Sequence, residues 1–177
     1  MILVGALAAA VLLGLLQGGS LFRLGELRFR LGPLALGALA IQVLVIARSR
    51  ATRLDAALLL ISFATLLVFA LANLRLSGLP LLAAGLLLNL AAMAANGGFM
   101  PVTPQALEYA ADLGSRVPGS KDIVLERHQI RLYYLTDILV LRRLPLPTAF
   151  SVGDVLIAAG LLILVPRAMR QRSSAPQ

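Results

Sequence analysis

Two aspartates near the carboxyl end of the chain could do chemistry together. Asp137 lies within the apolar stretch 132–141, and Asp154 directly precedes a second apolar stretch that begins at Val155. An ionisable side chain at membrane depth costs at least ~2.5–3.5 kcal/mol, so it marks a candidate functional site. Two carboxylates that share a pocket of low dielectric constant cannot both ionise easily, and the pair holds a proton. One group can then act as a general base on water while its protonated partner polarises a carbonyl group, as in aspartyl hydrolases.

Both aspartates also have a structural interpretation. Ser151 and Asp154 have the spacing of a capping box, and a negative charge at that position suits the amino-terminal end of a helix. Asp137 could be a buried carboxylate that is neutralised by a nearby arginine. The candidate arginines are Arg131, Arg142 and Arg143. The sequence leaves the catalytic and the structural interpretations open.

The composition indicates an integral membrane protein. Of the 177 residues, 59% are hydrophobic and only 14% are charged, whereas soluble domains have about 25% charged residues. The chain has no cysteine and a single histidine, which argues against disulfides, a cysteine nucleophile and a histidine-based metal cluster, so no cofactor is expected. The net charge of +8 predicts contact with anionic lipid head groups. No basic surface with aromatic readers is visible, so nucleic acid is not an expected partner.

Five apolar stretches are candidates to cross a lipid bilayer, which takes about 20 residues per helix and about 17 at the low end. They cover residues 2–18, 33–47, 54–73, 79–95 and 149–166. The predicted fold is therefore an all-α bundle of five transmembrane helices, with four of them in residues 1–95. The segment 21–30 alternates apolar and charged residues, which fits either a small hairpin or an interfacial segment.

The polar region at 96–148 is predicted to form a helical loop domain between the fourth and fifth spans. Two helices are expected in it, over 104–113 and 121–135, because a capping residue precedes each of them. Arginines in the tail 167–177 place that tail in the cytoplasm. The amino terminus and the loop domain then lie outside the cell membrane. The arginines that oppose this orientation are Arg48, Arg50 and Arg53.

Four further residues could support the two aspartates. They are Asn96, Gly97, Gly98 and Ser151. Asn96 ends the fourth span and Asp154 opens the fifth, so Asn96 could hydrogen-bond the carboxylates or the backbone of a substrate. The alternative is a helix cap followed by a turn, which the order asparagine-glycine-glycine favours.

The segment from Phe150 to Gly160 resembles the last motif of the lipoprotein (type II) signal peptidases. That motif has a phenylalanine, an asparagine, any residue, an alanine and an aspartate, followed by apolar residues and a glycine. In that family a second catalytic aspartate lies somewhat under twenty residues upstream, and Asp137 lies 17 residues before Asp154. The resemblance implies that these two aspartates are a catalytic dyad near the outer membrane face, acting on a membrane-anchored peptide or lipoprotein. Ser151 and Gly153 stand where the family has asparagine and alanine.

A longer stretch resembles a second family, of small multipass bacterial membrane proteins of unknown function. The residues that carry this resemblance run from Asn96 to Val102 and from Ser151 to Ile157, and the family implies no activity. The leading hypothesis is thus a membrane-embedded aspartyl hydrolase. The alternative is a non-catalytic membrane protein that assembles with or regulates another protein, with aspartates that serve the structure.

Overall fold

A computed structural model describes residues 2–48, 50–107, 114–141 and 148–170, and these residues are mostly helical, as the sequence predicts. They form seven α-helices. In chain order these are Ile2–Leu16 (α1), Phe22–Gly25 (α2), Gly32–Arg48 (α3), Arg53–Ala72 (α4), Leu79–Ala95 (α5), Pro104–Leu107 (α6) and Val152–Arg170 (α7). Four of the five long helices begin and end within two residues of the predicted spans.

Two of these helices, α4 and α7, are long and apolar enough to cross a membrane by length and composition. The other three long helices, α1, α3 and α5, are shorter and also apolar. Between α1 and α3, the alternating segment forms the four-residue helix α2 rather than a hairpin.

The last long helix differs from its prediction at both ends. The expected end at Pro166 is wrong, because α7 continues to Arg170 with this proline inside it. A proline removes one helical hydrogen bond, but the turn that follows is held by packing. Met169 is buried in a cluster with Ala10 of α1, and its carbonyl accepts a hydrogen bond from the Ser20 N–H at 2.9 Å.

The helices pack with α7 between α1 and α5, while α4 lies between α3 and α5. The backbones of α5 and α7 approach closely because glycines face each other at the contact. A Cβ atom at Gly160 would lie 2.7 Å from the carbonyl oxygen of Gly78, and a Cβ atom at Gly85 would collide with the carbonyl oxygen of Gly153. Small residues permit this kind of close helix contact in membrane proteins.

The loop domain contains short strands where a helix was expected. Met100–Val102 (β1) pairs in parallel with Asp122–Val124 (β2). Leu139–Leu141 (β3) pairs antiparallel with Thr148–Phe150 (β4). Of the helix predicted over 104–113, α6 supplies the first four residues, and 108–113 lie outside the described residues.

The helix predicted over 121–135 is wrong. Ile123 and Val124 are β-branched residues that favour a pleated strand, and they pair with β1 instead. Two single 3₁₀ turns follow, at Arg127–Gln129 and Tyr133–Leu135. Leu132, directly before the second turn, has φ of 51°, a left-handed conformation that a right-handed helix cannot include.

The loops and turns that connect the long helices lie at the two ends of the bundle. The basic end consists of the loops 17–31 and 73–78 together with the last turn of α7. The carboxylate end consists of the turn between α3 and α4, the loop domain, and the first turn of α7. Both predicted catalytic residues lie at the carboxylate end.

A buried carboxylate–lysine cluster as the candidate functional site

The strand pair β3–β4 brings the two predicted catalytic residues together. Leu139 pairs with Phe150, so the chain just before β3 and the chain just after β4 leave the ladder side by side. Asp137 precedes β3 by two residues, and Asp154 follows β4 in the first turn of α7. Both carboxylates are buried, with exposed fractions of 2% for Asp137 and 3% for Asp154.

Asp154 is held by a capping box and by α5. Its N–H donates to Ser151 Oγ at 2.9 Å, and the Ser151 N–H donates to Asp154 Oδ2 at 3.3 Å. Asn89 Nδ2 donates to Asp154 Oδ1 at 2.7 Å, and Ser151 Oγ donates to Asn89 Oδ1 at 2.7 Å. The predicted capping geometry is therefore present, and a buried asparagine on α5 extends it.

The glycine before Asp154 makes room for this asparagine. A Cβ atom at Gly153 would collide with Oδ1 of Asn89. Where the type II signal peptidase motif has an alanine, this chain needs a glycine, because the methyl group of alanine would push Asn89 away from Asp154.

The link between the two aspartates is Lys121, which the sequence analysis did not select. Its Nζ lies 3.1 Å from Asp137 Oδ2 and 3.4 Å from Asp154 Oδ2, so one ammonium group contacts both carboxylates. Asp122 also places Oδ1 within 3.7 Å of the same Nζ. We call Lys121, Asp137 and Asp154, with Asn89 and Ser151, the carboxylate cluster.

One signal in the sequence could have identified this lysine. Lys121 is the only lysine among fifteen arginines. A lysine forms a compact charge that can approach two separate carboxylates, whereas the planar guanidinium of arginine suits one carboxylate in a bidentate contact.

The two carboxylates differ in protonation. Burial raises the pKa of Asp137 well above its usual range, and the nearby Asp122 and Asp154 raise it further, while the charge of Lys121 lowers it only in part. Burial lowers the pKa of Lys121, but the attraction of the carboxylates outweighs burial, so its net pKa is above the usual range. These shifts favour the ammonium form of Lys121 and the protonated form of Asp137.

The hydrogen bonds show the same asymmetry. Asp154 accepts from three donors, the side chains of Asn89 and Lys121 and the N–H of Ser151, which suits an ionised carboxylate. Asp137 accepts from Lys121 through Oδ2, and its buried Oδ1 has no hydrogen-bond partner among the described residues. One ionised and one protonated carboxyl group is the arrangement that acid–base catalysis by an aspartate pair requires.

Residues 26–166 match the model of DUF5317, a family of unknown function. The chain belongs to the DUF5317 family. The matched region contains the whole carboxylate cluster and bears out the predicted membership of an uncharacterised family. No curated protein and no solved structure is detectably similar to this DUF5317 protein, and the likeness to type II signal peptidases stays a prediction.

Of the three arginine partners expected for Asp137 in this DUF5317 protein, Arg131 forms no salt bridge with it in the described part of the chain. Arg131 donates its backbone N–H to Asn96 Oδ1 at 2.8 Å. Arg142 and Arg143 lie outside the described residues. Among the described residues, the basic partner of Asp137 is Lys121.

Asn96 does not reach the carboxylate cluster. Its Nδ2 donates to the carbonyl oxygens of Ala92 at 2.7 Å and Arg131 at 2.8 Å, so it attaches the loop domain to the end of α5. Gly97 and Gly98 have φ of 77° and 96°, which glycine adopts at little cost. These three residues form the cap and turn that the alternative interpretation predicted, and of the four supporting candidates only Ser151 lies in the cluster.

Across the described ranges, no group of three or more histidine, cysteine, aspartate or glutamate side chains has an arrangement that could hold a metal ion. The three aspartates near Lys121 surround a lysine ammonium, which already supplies positive charge at their centre. The side chains of the cluster can supply proton transfer and electrostatic stabilisation.

Proposed function

We propose that this DUF5317 protein crosses the cell membrane five times, through α1, α3, α4, α5 and α7. Each helix exposes large apolar side chains, which in a membrane would face lipid. Examples are Val4, Leu36, Ile61, Leu87 and Leu162. The basic end then faces the cytoplasm and the carboxylate end faces outward, because positive charge favours the cytoplasmic side.

Acidic side chains at the carboxylate end partly neutralise the arginines that oppose this orientation. Arg48 lies 3.8 Å from the buried Asp55. Four more acidic residues of the described part lie at the same end, namely Asp122, Glu126, Asp137 and Asp154. The acidic side chains reduce the net positive charge there, but the proposed orientation rests on the arginines of the basic end.

We propose further that the protein is a membrane-embedded aspartyl hydrolase that cuts peptide bonds near the outer membrane face. The observation that carries this proposal is the convergence of the buried Asp137 and Asp154 on the single ammonium group of Lys121. Asp154 takes a proton from a water molecule, whose oxygen attacks the carbonyl carbon. Asp137 donates a proton to the carbonyl oxygen. The tetrahedral intermediate then collapses: the C–N bond breaks, the amine leaves with the proton from Asp154, and one hydroxyl of the intermediate returns its proton to Asp137.

Lys121 has a separate role in this mechanism. Its ammonium group stabilises the negative charge that develops on the carbonyl oxygen in the transition state. The side chain of Lys121 has an exposed fraction of 16%, compared with 2% for that of Asp137, so a substrate would approach from the side of the lysine. Asn89 and Ser151 are positioning residues that hold Asp154.

The test is cleavage of membrane-anchored peptides by the full-length protein in proteoliposomes, with products identified by mass spectrometry. The peptides carry an apolar anchor and include an acylated lipoprotein signal sequence. Asp137→Asn and Asp154→Asn should each lower the cleavage rate at least ~100-fold, since a general acid or base contributes ~10²–10⁴-fold. Asp55→Asn is the matched control, a buried carboxylate at the same end whose partners are Thr52 and Arg48, and it should keep the activity. Cleavage that survives in either dyad variant, or a wild-type protein that cuts none of the peptides, contradicts the proposal.

The second candidate is a non-catalytic membrane protein whose cluster attaches the loop domain to α5 and α7. The complete hydrogen bonding of Asp154 favours it, because a capping box and an ion pair are structural devices. In that case the dyad variants change the hydrogen-exchange protection of residues 114–141, and no cleavage is seen with any variant.

A further inference from the structure

The basic end carries a strong local excess of positive charge. Its arginines are Arg23, Arg28, Arg30, Arg75, Arg167 and Arg170. The loops 17–31 and 73–78 and the chain after Pro166 contain a single acidic residue, Glu26. Within the described part of the chain, no acidic side chain forms a salt bridge with any of these six arginines. Their charges are thus available to a partner outside the chain.

Three segments that are distant in sequence form one surface here. Arg23 donates from Nη1 to the carbonyl oxygens of Met169 at 3.3 Å and Arg170 at 3.4 Å, which joins the first loop to the end of α7. Arg30 and Asn73 exchange two hydrogen bonds of 2.8 Å each, which joins the same loop to the end of α4. The arginines are therefore held on a connected surface.

A crevice lies where the three segments meet. It is lined by Leu27, Leu76, Ser77, Leu164, Arg167 and Ala168. The crevice is shallow, with enclosed space for about one water molecule. A head group would therefore lie on this surface beside the Arg167 guanidinium and would not enter a pocket.

Exposed apolar side chains lie among these charges. Phe22 and Leu21, at the short helix α2, have exposed fractions of 90% and 51%. Apolar side chains next to arginines are typical of a segment that lies in the membrane interface, where rings and methyl groups enter the acyl region and guanidinium groups contact head groups.

We propose that the basic end is a binding surface for anionic phospholipid head groups, contributed by the two loops and the last turn of α7. The partner is identified by charge complementarity, since unpaired guanidinium groups match lipid phosphates, and by the neighbouring apolar side chains, which match acyl chains. This inference rests on the proposed membrane insertion and is independent of the hydrolase proposal, because it involves no residue of the carboxylate cluster.

The test is native mass spectrometry of the full-length protein with an equal mixture of phosphatidylglycerol and phosphatidylcholine that have the same acyl chains. The wild-type protein should retain phosphatidylglycerol in preference to phosphatidylcholine. The triple variant Arg28→Gln, Arg75→Gln, Arg167→Gln removes one exposed guanidinium from each segment. It should lower this preference at least ~10-fold, since one arginine near an anionic surface contributes about fivefold.

The matched control removes three exposed arginines at the other end, through Arg50→Gln, Arg53→Gln and Arg131→Gln. It lowers the net charge by the same amount and should keep most of the preference. The triple variant Arg28→Lys, Arg75→Lys, Arg167→Lys keeps the positive charges and should also keep the preference for phosphatidylglycerol. It shows whether changes at these three positions disturb folding. If the glutamine triple does not fold, the single loop variants Arg28→Gln and Arg75→Gln replace it. An equal loss in both glutamine triples, or no preference in the wild-type protein, overturns the proposal.

Discussion

The two ends of the bundle attach their loops in the same way. Asn73 follows the last residue of α4, and Asn96 follows the last residue of α5. Each asparagine donates to the carbonyl oxygen four residues earlier, and each exchanges two hydrogen bonds of 2.8 Å with the backbone of one loop arginine. The arginine is Arg30 at the basic end and Arg131 at the carboxylate end. We call each arrangement an asparagine clamp.

The clamps share one further feature. A leucine follows each clamped arginine, and it has a left-handed backbone, with φ of 62° at Leu31 and 51° at Leu132. In the described part of the chain, no other residue except glycine has a positive φ. Because this conformation is unfavourable for leucine, its occurrence at both clamps indicates that the clamp imposes it.

The ends differ in buried charge. At the basic end the loops are held by the clamp, by backbone hydrogen bonds and by apolar packing, and its arginines are exposed except for the half-buried Arg23. The carboxylate end has the same clamp and, in addition, a half-buried lysine between two buried aspartates. Since one end holds its loops without buried charge, attachment alone does not require the cluster. This difference favours a functional role for Asp137, whose Oδ1 is unpartnered among the described residues.

The largest change in stability is expected from Lys121→Met. This substitution removes the cation from a site with three nearby aspartates, and breaking a buried ion pair by removing one partner costs about 3–5 kcal/mol. Thermal unfolding in detergent, followed by circular dichroism, should show a clearly lower midpoint than in the wild-type protein. Hydrogen exchange should increase over 114–141 and stay unchanged in the loop 17–31.

The double variant Lys121→Met, Asp154→Asn is the control for this explanation. It removes opposite charges together, so it should recover part of the stability that Lys121→Met loses. A midpoint for Lys121→Met that equals the wild-type value shows that the lysine does not hold the cluster together. The carboxylate end would then differ little from the basic end in what stabilises it.

Smaller effects are expected when the clamps are removed. Asn73→Ala and Asn96→Ala each delete three hydrogen bonds, and leaving buried backbone groups without partners costs about 1–3 kcal/mol. Asn73 is buried and Asn96 is half-buried, so water can replace more of the lost hydrogen bonds at Asn96. We therefore expect the larger loss from Asn73→Ala, measured as the free energy of opening of each loop by hydrogen exchange.

This pair of variants can also break the comparison. If Asn96→Ala destabilises the protein more than Asn73→Ala, the carboxylate cluster depends on its clamp for its position. The asparagine clamps would then have different roles at the two ends of the bundle.

Most ends of the long helices were predictable because apolar runs bounded by prolines and glycines mark them in the sequence, but Pro166 lies inside α7 and does not end it. The strands of the loop domain were not, since β2 and β3 have three residues each, which is too short for an alternation of apolar and polar residues to be recognised in the sequence. The capping box at Asp154 could be predicted from local spacing, which local hydrogen bonds determine. Lys121 could not be placed by spacing, because its contact with Asp137 depends on the pairing of β3 with β4 and of β2 with β1.

The smallest change in stability is expected from Asp137→Asn, and the size of this change depends on pH. Burial raises the pKa of Asp137 above that of the unfolded chain, so the folded protein binds a proton that the unfolded chain has released. Its contribution to stability is complete below the unfolded pKa of about 3.9 and is lost as the pH rises through the raised pKa of the folded state.

Asparagine stays uncharged at every pH, so the variant removes this dependence. Between about pH 4 and the raised pKa, the wild-type protein should lose stability relative to Asp137→Asn with each increase in pH. The check is the unfolding midpoint of both proteins in matched buffers across that range.

Asp55→Asn serves as the control, since it changes a buried carboxylate outside the cluster and should leave the pH dependence due to Asp137 unchanged. If the wild-type protein instead gains stability relative to Asp137→Asn as the pH rises, Asp137 is ionised in the folded state. The cluster would then contain two ionised aspartates on one ammonium group, which is a salt bridge without the shared proton that catalysis requires.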